Sequence, residues 1–219
     1  MNARCPLFLF LMVISIPALA QDPNRFLEEI ESLRTKNFQP DANKAIVVFT
    51  GSSSIRMWNN VQENFPEINA INTGFGGSHF TDLIHFANDL IFKYNPDKIF
   101  IYEGDNDIAD GKSPAQILAA AAFLYAQIRH RLPEAQVYLI TPKPSIARWE
   151  LKENYEVYIS LLKDFTQFDD SIHFVDTWSA MLDENGVVLQ DIFVSDNLHM
   201  NEKGYKIWAE VIGKYLNDD

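Results

Sequence analysis

Short apolar runs rich in Val, Ile and Phe alternate along the chain with longer segments of helical periodicity. Each run is bounded by Pro, Gly, Asn or Asp, as buried strands tend to be. We predict five strands, at residues 45–50, 68–72, 98–103, 136–141 and 172–177. Helical stretches are predicted at residues 78–94, 113–132, 147–168 and 201–217. A leading amphipathic helix is predicted at residues 22–37, with one side formed by Phe26, Leu27, Ile30 and Leu33.

This alternation of strands and helices predicts an α/β fold. Strands joined through helices form right-handed crossovers, a parallel sheet and helical layers on both faces. The expected architecture is therefore a three-layer α/β/α sandwich around a five-stranded parallel sheet. Functional sites in such sheets lie beyond the carboxyl ends of the strands. We therefore expect each chemically active residue to follow a strand directly.

The first twenty residues have the composition of an export signal. Arg4 gives a positive start, residues 7–16 are apolar apart from one serine, and residues 17–20 end in a small-x-small pattern. We predict cleavage before Gln21 and a periplasmic or secreted location. A membrane anchor is less favoured, because the apolar run is shorter than the roughly 20 residues that span a bilayer. Residues 21–219 are predicted to form a single domain.

Composition narrows the classes of partner. The 219 residues are 47% hydrophobic and 22% charged, which is ordinary for a globular protein. The formal net charge of −12 argues against nucleic acid as a partner and against stable association with anionic membranes. Cys5, the only cysteine, lies within the predicted signal, so no disulfide is expected in the mature domain.

An acid and an imidazole near the C-terminus form the first candidate for chemistry. Asp196 and His199 are three positions apart, close enough to share one turn. The carboxylate can then accept the Nδ1 proton of the ring and leave Nε2 available for another proton. The pattern Asp-x-x-His is weak evidence of catalysis by itself, and other blocks decide its meaning.

A serine-rich turn follows the first predicted strand, at residues 51–54. Gly51 permits a sharp turn, and Ser53 then lies where backbone N–H groups favour negative charge. This environment suits a nucleophile whose attack creates an oxyanion. Capping of the next helix is the structural alternative.

Two further blocks follow the second and third strands. Three glycines in residues 72–78 allow close approach of the backbone, and the N–H of Gly77 is placed to point into a cleft. The spacing does not fit the dinucleotide pattern Gly-x-Gly-x-x-Gly, since His79 takes the place of its third glycine. After the third strand, Asn106 can offer its side-chain NH₂ to a developing oxyanion.

The acids around Asn106 raise the alternative of a calcium loop. Its carboxylates would be Asp105, Asp107 and Asp110. In that register Ala109 takes a ligand position and Gln116 takes the place of the bidentate glutamate. We therefore expect no metal.

The four blocks together resemble the SGNH, or GDSL-like, hydrolase family, which is named for its Ser, Gly, Asn and His. They occur in order over nearly all of the chain after the signal. The resemblance implies a flavodoxin-like sheet, a serine esterase and no metal or organic cofactor. It also implies roles for single residues: Ser53 as nucleophile, His199 as general base and Asp196 as the acid that orients it.

The resemblance further implies an oxyanion hole made of the Ser53 N–H, the Gly77 N–H and the Asn106 side chain. The chain departs from the family pattern at one place, because Ser52 replaces the acid of Gly-Asp-Ser. That acid is not a triad member, so we expect activity to be retained. The run of serines leaves Ser54 as the alternative nucleophile.

A substrate pocket is expected near these blocks. The residues that can line it are His79, Lys143, Arg148 and Trp149. His79 lies close to Gly77 in the sequence, and the other three follow the fourth strand. A solvated loop is the alternative for the segment after that strand.

We expect the substrate to be a small-molecule or glycan ester carrying a short acyl group, such as the acetyl ester of a carbohydrate. A short chain without a lid-like apolar insertion favours that class within the family. Lysophospholipid or other lipid-ester hydrolysis is the nearest alternative. A catalytically silent glycan-binding module on the same scaffold is the third.

Overall fold

The computed structural model describes residues 22–216, so the predicted export signal lies outside the described residues. Five strands form one sheet in which every neighbouring pair is parallel, in the order β2-β1-β3-β4-β5. The strands are β1 (Ile46–Gly51), β2 (Asn69–Gly74), β3 (Lys98–Tyr102), β4 (Gln136–Ile140) and β5 (Ile172–Val175). The predicted five-stranded parallel α/β fold is confirmed.

Helices cover both faces of this sheet. They are α1 (Leu27–Thr35), α2 (Ser53–Arg56), α3 (Val61–Asn64), α4 (Phe80–Leu90), α5 (Asp105–Ala109), α6 (Pro114–Arg131), α7 (Lys152–Phe165) and α8 (Glu202–Leu216). Short 3₁₀ turns occur at Pro23–Phe26, Phe92–Tyr94, Trp149–Leu151 and Ser179–Met181. None of the helices within residues 22–216 combines the length and the apolar composition that a membrane span requires.

Two separate hydrophobic cores lie on the two faces of the sheet, because successive strand residues point to opposite sides. Val48 and Ile99 belong to the core that also contains residues of α1, α4, α6 and α7. Phe49 and Phe100 belong to the core that contains residues of α2, α3 and α8. In the second core Phe49, Phe100 and Tyr138 stack across three neighbouring strands, with centroid separations of 5.0 and 4.4 Å. Such stacked pairs hold the strand register.

The leading helix differs from its prediction. A 3₁₀ turn covers Pro23–Phe26, and the α-helix begins only at Leu27. Ile30 is fully buried as expected, but Leu27 is 45% exposed, so its predicted place on the buried side is wrong. At about 100° per residue, Leu27 lies about 60° around the helix from Ile30 and about 120° from Leu33, and so at the edge of the stripe that faces the core.

The sheet order places four loops at one edge. β1 and β3 are neighbours, and β2 and β4 flank them. The segments that follow the carboxyl ends of these four strands contain the glycine and serine turns, Asn106 and the Arg148 loop. Residues separated by about one hundred positions in sequence are thereby brought beside one another.

Candidate active site

The turn after β1 presents Ser53. Gly51 has φ of +120°, and a Cβ added there would lie 2.0 Å from the Tyr102 carbonyl oxygen, so a side chain is excluded. The Ser52 N–H donates to that same oxygen at 3.0 Å and ties the turn to β3. Ser53 is the first residue of α2 and is partly exposed.

Ser53, His199 and Asp196 meet beyond the strand ends. Ser53 Oγ lies 2.9 Å from His199 Nε2, and His199 Nδ1 lies 2.6 Å from Asp196 Oδ2. A ring that keeps its proton on Nδ1, toward the carboxylate, presents the Nε2 lone pair to the hydroxyl. The arrangement can therefore accept the hydroxyl proton of Ser53.

The acid and the ring are held by one local turn. Asp196 Oδ1 accepts the N–H groups of Leu198 and His199, each at 2.9 Å. Asn197 has φ of +57°, a conformation that asparagine tolerates in turns. Partial burial would raise the pKa of Asp196, but the hydrogen bond from the His199 ring and the two N–H bonds lower that pKa to about 2. The carboxylate is thus ionised across the neutral range.

The neighbouring serine is placed differently. The Ser54 side chain is buried, and its carbonyl oxygen accepts the Tyr205 hydroxyl at 2.9 Å. The structure therefore brings Ser53, and not Ser54, to the imidazole.

Three N–H donors surround the space beside Ser53. Asn106 lies in α5, and its Nδ2 donates to Ser52 Oγ at 2.7 Å and to the Ser78 carbonyl oxygen at 3.0 Å. A Cβ added at Gly77 would lie 3.9 Å from Asn106 Nδ2, so the two residues are adjacent. The backbone N–H groups of Ser53 and Gly77 have no acceptor within residues 22–216. This set of donors suits an oxyanion.

Ser52 links these donors. The hydroxyl accepts a hydrogen bond from Asn106 and donates to the Gly76 carbonyl oxygen at 3.3 Å. The residue that replaces the acid of the Gly-Asp-Ser pattern therefore joins the Asn106 side chain to the glycine-rich turn. The sequence indicated that this position is unusual but not what it contacts.

A buried carboxylate lies directly before Asn106. Asp105 Oδ1 accepts Arg148 Nη1 and the Tyr155 hydroxyl, each at 2.6 Å, and Oδ2 accepts Lys143 Nζ at 3.1 Å. Burial by itself would raise the pKa of Asp105, but Lys143 and Arg148 outweigh it and hold that pKa below its usual range. Asp105 is therefore a buried anion balanced by two cations.

The expected pocket residues divide into two groups. His79 and Lys143 are each 1% exposed, too deep to line a pocket, which corrects that expectation for both. His79 Nε2 lies 3.0 Å from Asp110 Oδ2, and burial lowers the pKa of the ring. Arg148 is 19% exposed beside Asn106, and the Trp149 ring stacks on Trp178. Of the four, only Arg148 makes a hydrogen bond to a side chain of the oxyanion-hole set, Asn106.

The acids of the calcium-loop alternative are paired with basic side chains. Asp107 accepts Lys112 Nζ at 2.7 Å, Asp110 faces His79, and Asp105 faces Lys143 and Arg148. Within residues 22–216 there is no group of three or more His, Cys, Asp and Glu side chains arranged to hold a metal ion.

The N-terminal helix α1 also contacts the site, which sequence reasoning did not predict. Glu29 Oε2 accepts the Gly76 N–H at 2.8 Å, and Oε1 accepts Arg56 Nη1 at 3.2 Å. The Phe26 ring meets the Phe75 ring edge-on at 5.1 Å. Glu29 and Gly76 are 47 positions apart, so no local pattern could have paired them.

An open groove of about 820 Å³ is lined by residues of the segment from α2 to α3 and by the N-terminal part of α8. The triad side chains are not among its lining residues, although Met57 lies four positions after Ser53 and Asn201 two positions after His199. The other lining side chains are Asn59, Asn60, Asn64, Met200, Glu202, Tyr205, Lys206 and Ala209. The wall therefore combines polar and apolar groups.

Comparison with known proteins agrees with this geometry. A sequence model described as the GDSL-like lipase/acylhydrolase family matches residues 39–207, which confirms the resemblance inferred from the four blocks. A search of the curated proteins finds no match.

Solved structures share the fold at low sequence identity. A candidate platelet activating factor from Streptococcus pneumonia has a TM-score of 0.76 at 20% identity, over 88% of this chain and 95% of that one. A GDSL-like lipase from Bacteroides thetaiotaomicron has a TM-score of 0.72 at 17% identity, over 89% and 97%. An acetylxylan esterase from Geobacillus stearothermophilus, solved as a catalytic mutant, has a TM-score of 0.67 at 16% identity, over 83% and 98%.

Proposed function

This chain belongs to the GDSL-like lipase/acylhydrolase family, and on that premise we propose that it hydrolyses carboxylic esters through an acyl-enzyme on Ser53. The observation that carries the proposal is the continuous chain of contacts from Ser53 Oγ through His199 to Asp196. Hydroxyl, imidazole and carboxylate at these distances form the proton path that nucleophilic acyl transfer requires.

In the first half-reaction Ser53 Oγ attacks the ester carbonyl carbon while His199 Nε2 takes the hydroxyl proton. The carbonyl oxygen becomes an oxyanion and accepts hydrogen bonds from the Ser53 N–H and the Gly77 N–H. Asn106 Nδ2 joins them by exchanging its contact with Ser52 Oγ for one with the oxyanion, while its second hydrogen stays on the Ser78 carbonyl oxygen. Asp196 stabilises the imidazolium that forms. His199 then gives its proton to the leaving alcohol, and the acyl group stays on Ser53.

In the second half-reaction water replaces the alcohol. His199 removes a proton from the water as it attacks the acyl carbon, and the same donors hold the second oxyanion. Collapse of that intermediate returns the proton to Ser53 Oγ and releases the carboxylic acid. Both half-reactions use only side chains and backbone groups of this chain.

The proposed substrates are short acyl esters of carbohydrates. The groove that Met57 and Asn201 line offers amide and ammonium groups, such as those of Asn60 and Lys206, that can pair with sugar hydroxyls. The acetylxylan esterase with the same fold adds support for this class. An exported glycan esterase would also agree with the signal predicted at residues 1–20.

Covalent labelling tests the nucleophile. A fluorophosphonate probe is expected to modify wild-type protein and the Ser54→Ala variant at Ser53, and to leave Ser53→Ala unlabelled. Absence of an adduct on folded wild-type protein would favour a silent glycan-binding module. Labelling and turnover that survive Ser53→Ala would assign the nucleophile elsewhere.

A comparison of kcat/KM between short-chain and long-chain esters tests the acyl class. We expect higher kcat/KM for p-nitrophenyl acetate than for the palmitate ester, and release of acetate from acetylated xylo-oligosaccharides. Ser53→Ala measures the background in both assays. Faster cleavage of the long-chain ester, or of a lysophospholipid, would reject the carbohydrate proposal in favour of a lipid esterase.

A further inference from the structure

An asparagine serves as an oxyanion donor only when its NH₂ end faces the reacting carbonyl. The side-chain amide has two ends of similar shape, and rotation by half a turn exchanges donor and acceptor. Asn106 therefore needs a neighbour that distinguishes Oδ1 from Nδ2. The proposed mechanism requires Nδ2 on the Ser53 side. The Ser78 carbonyl oxygen favours that orientation from the Nδ2 end, and a contact from a donor to Oδ1 would favour it from the other end.

Arg148 makes that contact. Its Nη2 donates to Asn106 Oδ1 at 3.1 Å, while Asn106 Nδ2 faces Ser52 Oγ and the Ser78 carbonyl oxygen. A guanidinium carries only donors. If the amide turned over, NH₂ would face Arg148 and Oδ1 would face the Ser78 oxygen, which gives two repulsive pairs. The Arg148 contact thus favours a single orientation.

Arg148 is itself held in place by a buried partner. Its Nη1 donates to Asp105 Oδ1 at 2.6 Å, so the planar fork spans the side chains of two successive residues, Asp105 and Asn106. Asp105 also accepts the Tyr155 hydroxyl and Lys143 Nζ. Because these partners come from α5, from the segment after β4 and from α7, the fork has little freedom to move.

We propose that Arg148 is a positioning residue that orients the Asn106 amide for oxyanion binding. This inference rests on the proposed function, because the amide can bind an oxyanion only if Ser53 attacks an ester. The charge of the guanidinium also polarises the amide through Oδ1 and strengthens its N–H donors. The competing role is direct contact with substrate, because Arg148 retains 19% exposure.

A double-mutant cycle separates these roles. Arg148→Met and Arg148→Lys are compared in the wild-type and Asn106→Ala backgrounds, with p-nitrophenyl acetate as substrate. In the wild-type background Arg148→Met is expected to lower kcat about 10- to 100-fold, with KM changed less than about twofold. In the Asn106→Ala background the same substitution is expected to cost less than about threefold, because the amide it acts through is gone.

Lysine tests the geometry of the fork. A single ammonium group keeps the charge but cannot replace two parallel N–H donors, so Arg148→Lys is expected to restore kcat only in part. The matched control is Arg34→Met, which removes an exposed arginine paired with Asp89 and is expected to keep wild-type rates. Thermal unfolding is measured for every variant. If Arg148→Met does not fold, the kcat of Arg148→Lys is compared in the wild-type and Asn106→Ala backgrounds instead.

Three results would overturn the inference. One is an equal loss of kcat in both backgrounds, another is a loss confined to KM, and the last is full kcat in Arg148→Lys. The proposed function is tested separately: it is supported if the wild-type protein turns over esters and Ser53→Ala does not. If that holds and one of the three results is observed, only the positioning role of Arg148 is rejected. A wild-type protein that neither turns over esters nor reacts with the fluorophosphonate rejects both.

Discussion

The active site has two halves that are built in opposite ways. In the triad half, Asp196 and His199 are three residues apart, and the Asp196 side chain is 46% exposed. In the oxyanion half, Asn106 depends on Asp105, which is 6% exposed and whose two cationic partners, Lys143 and Arg148, lie 38 and 43 positions further along the chain. Local, exposed contacts can be removed without unsettling the fold. Removing buried contacts between residues distant in sequence is expected to lower both the activity and the stability of the fold.

The largest effect is expected from the exposed acid. Asp196→Asn is expected to lower kcat about 10⁴-fold, since the amide favours the wrong imidazole tautomer. The free energy of unfolding is expected to fall by no more than about 1 kcal/mol at pH 7, because solvent screens most of the stability that the lowered pKa of the half-exposed Asp196 would otherwise contribute. Nitrophenyl acetate kinetics and urea unfolding measure the two quantities, with exposed Asp170→Asn as the control. A stability loss as large as that of a buried charge would contradict the comparison.

Next in size is the effect of the buried acid. Asp105→Asn leaves the Lys143 ammonium buried without its carboxylate and is expected to cost about 3–5 kcal/mol of unfolding free energy. It also removes the anchor of Arg148, so kcat falls as well. Calorimetry and kinetics check both, and Asp164→Asn on the exposed side of α7 is the control.

A second substitution sharpens this result. Adding Lys143→Met to Asp105→Asn removes the uncompensated cation and is expected to recover part of the stability. The same double variant is not expected to recover kcat, because Arg148 still lacks its partner. Recovery of both quantities together would show that the oxyanion half is not tied to the buried carboxylate.

A smaller effect is expected at the N-terminal helix. Glu29→Ala removes the acceptor of the Gly76 N–H and is expected to lower kcat a few-fold, because the neighbouring Gly77 donor is held less firmly. Glu28→Ala, one position earlier on an exposed part of α1, is the matched control. Equal rates for the two variants would show that α1 does not support the oxyanion half. This contact would be an addition to the family's matched region, because α1 lies before residues 39–207.

The smallest effect concerns acid stability. The pKa of Asp196 in the folded protein is about 2, below the value of about 3.9 in an unfolded chain. As the pH falls, the unfolded chain therefore takes up the proton first, and the stability that the ionised carboxylate contributes above pH 4 is lost toward pH 2. The difference in unfolding free energy between wild type and Asp196→Asn is expected to shrink over that interval. A difference that grows on acidification would contradict the assignment.

The strands were predictable because both faces of a parallel sheet are buried, and the sequences of β1, β3 and β4 are then mostly apolar. Their observed limits differ from the predicted ones by two residues or fewer. No range was predicted for the short helices α2, α3 and α5, since four or five residues give little more than one helical turn. A helix was expected at Ser53 but not at Asp105, so part of the site depends on an element that leaves little trace in the sequence.

Lys143 shows the limit of the same reasoning for single side chains. A lysine in a loop after a strand is usually solvated, so it was expected at the pocket wall. Its burial depends on Asp105, 38 positions earlier, which is itself hidden only when β3 and β4 pair. The sequence gives the type of a polar residue, but only the folded structure shows which residue it pairs with.

The sequence by itself determined the α/β class, the order of the four blocks and the Asp196–His199 pair. These depend on periodicity and on spacings of a few residues, which the backbone converts directly into geometry. Only the tertiary structure decided that Ser53 rather than Ser54 meets His199, that Ser52 links Asn106 to Gly76, and that Arg148 contacts the Asn106 amide. Those contacts join residues 24 to 146 positions apart in the sequence. Such residues come into contact only when the sheet forms and brings the carboxyl ends of its strands together.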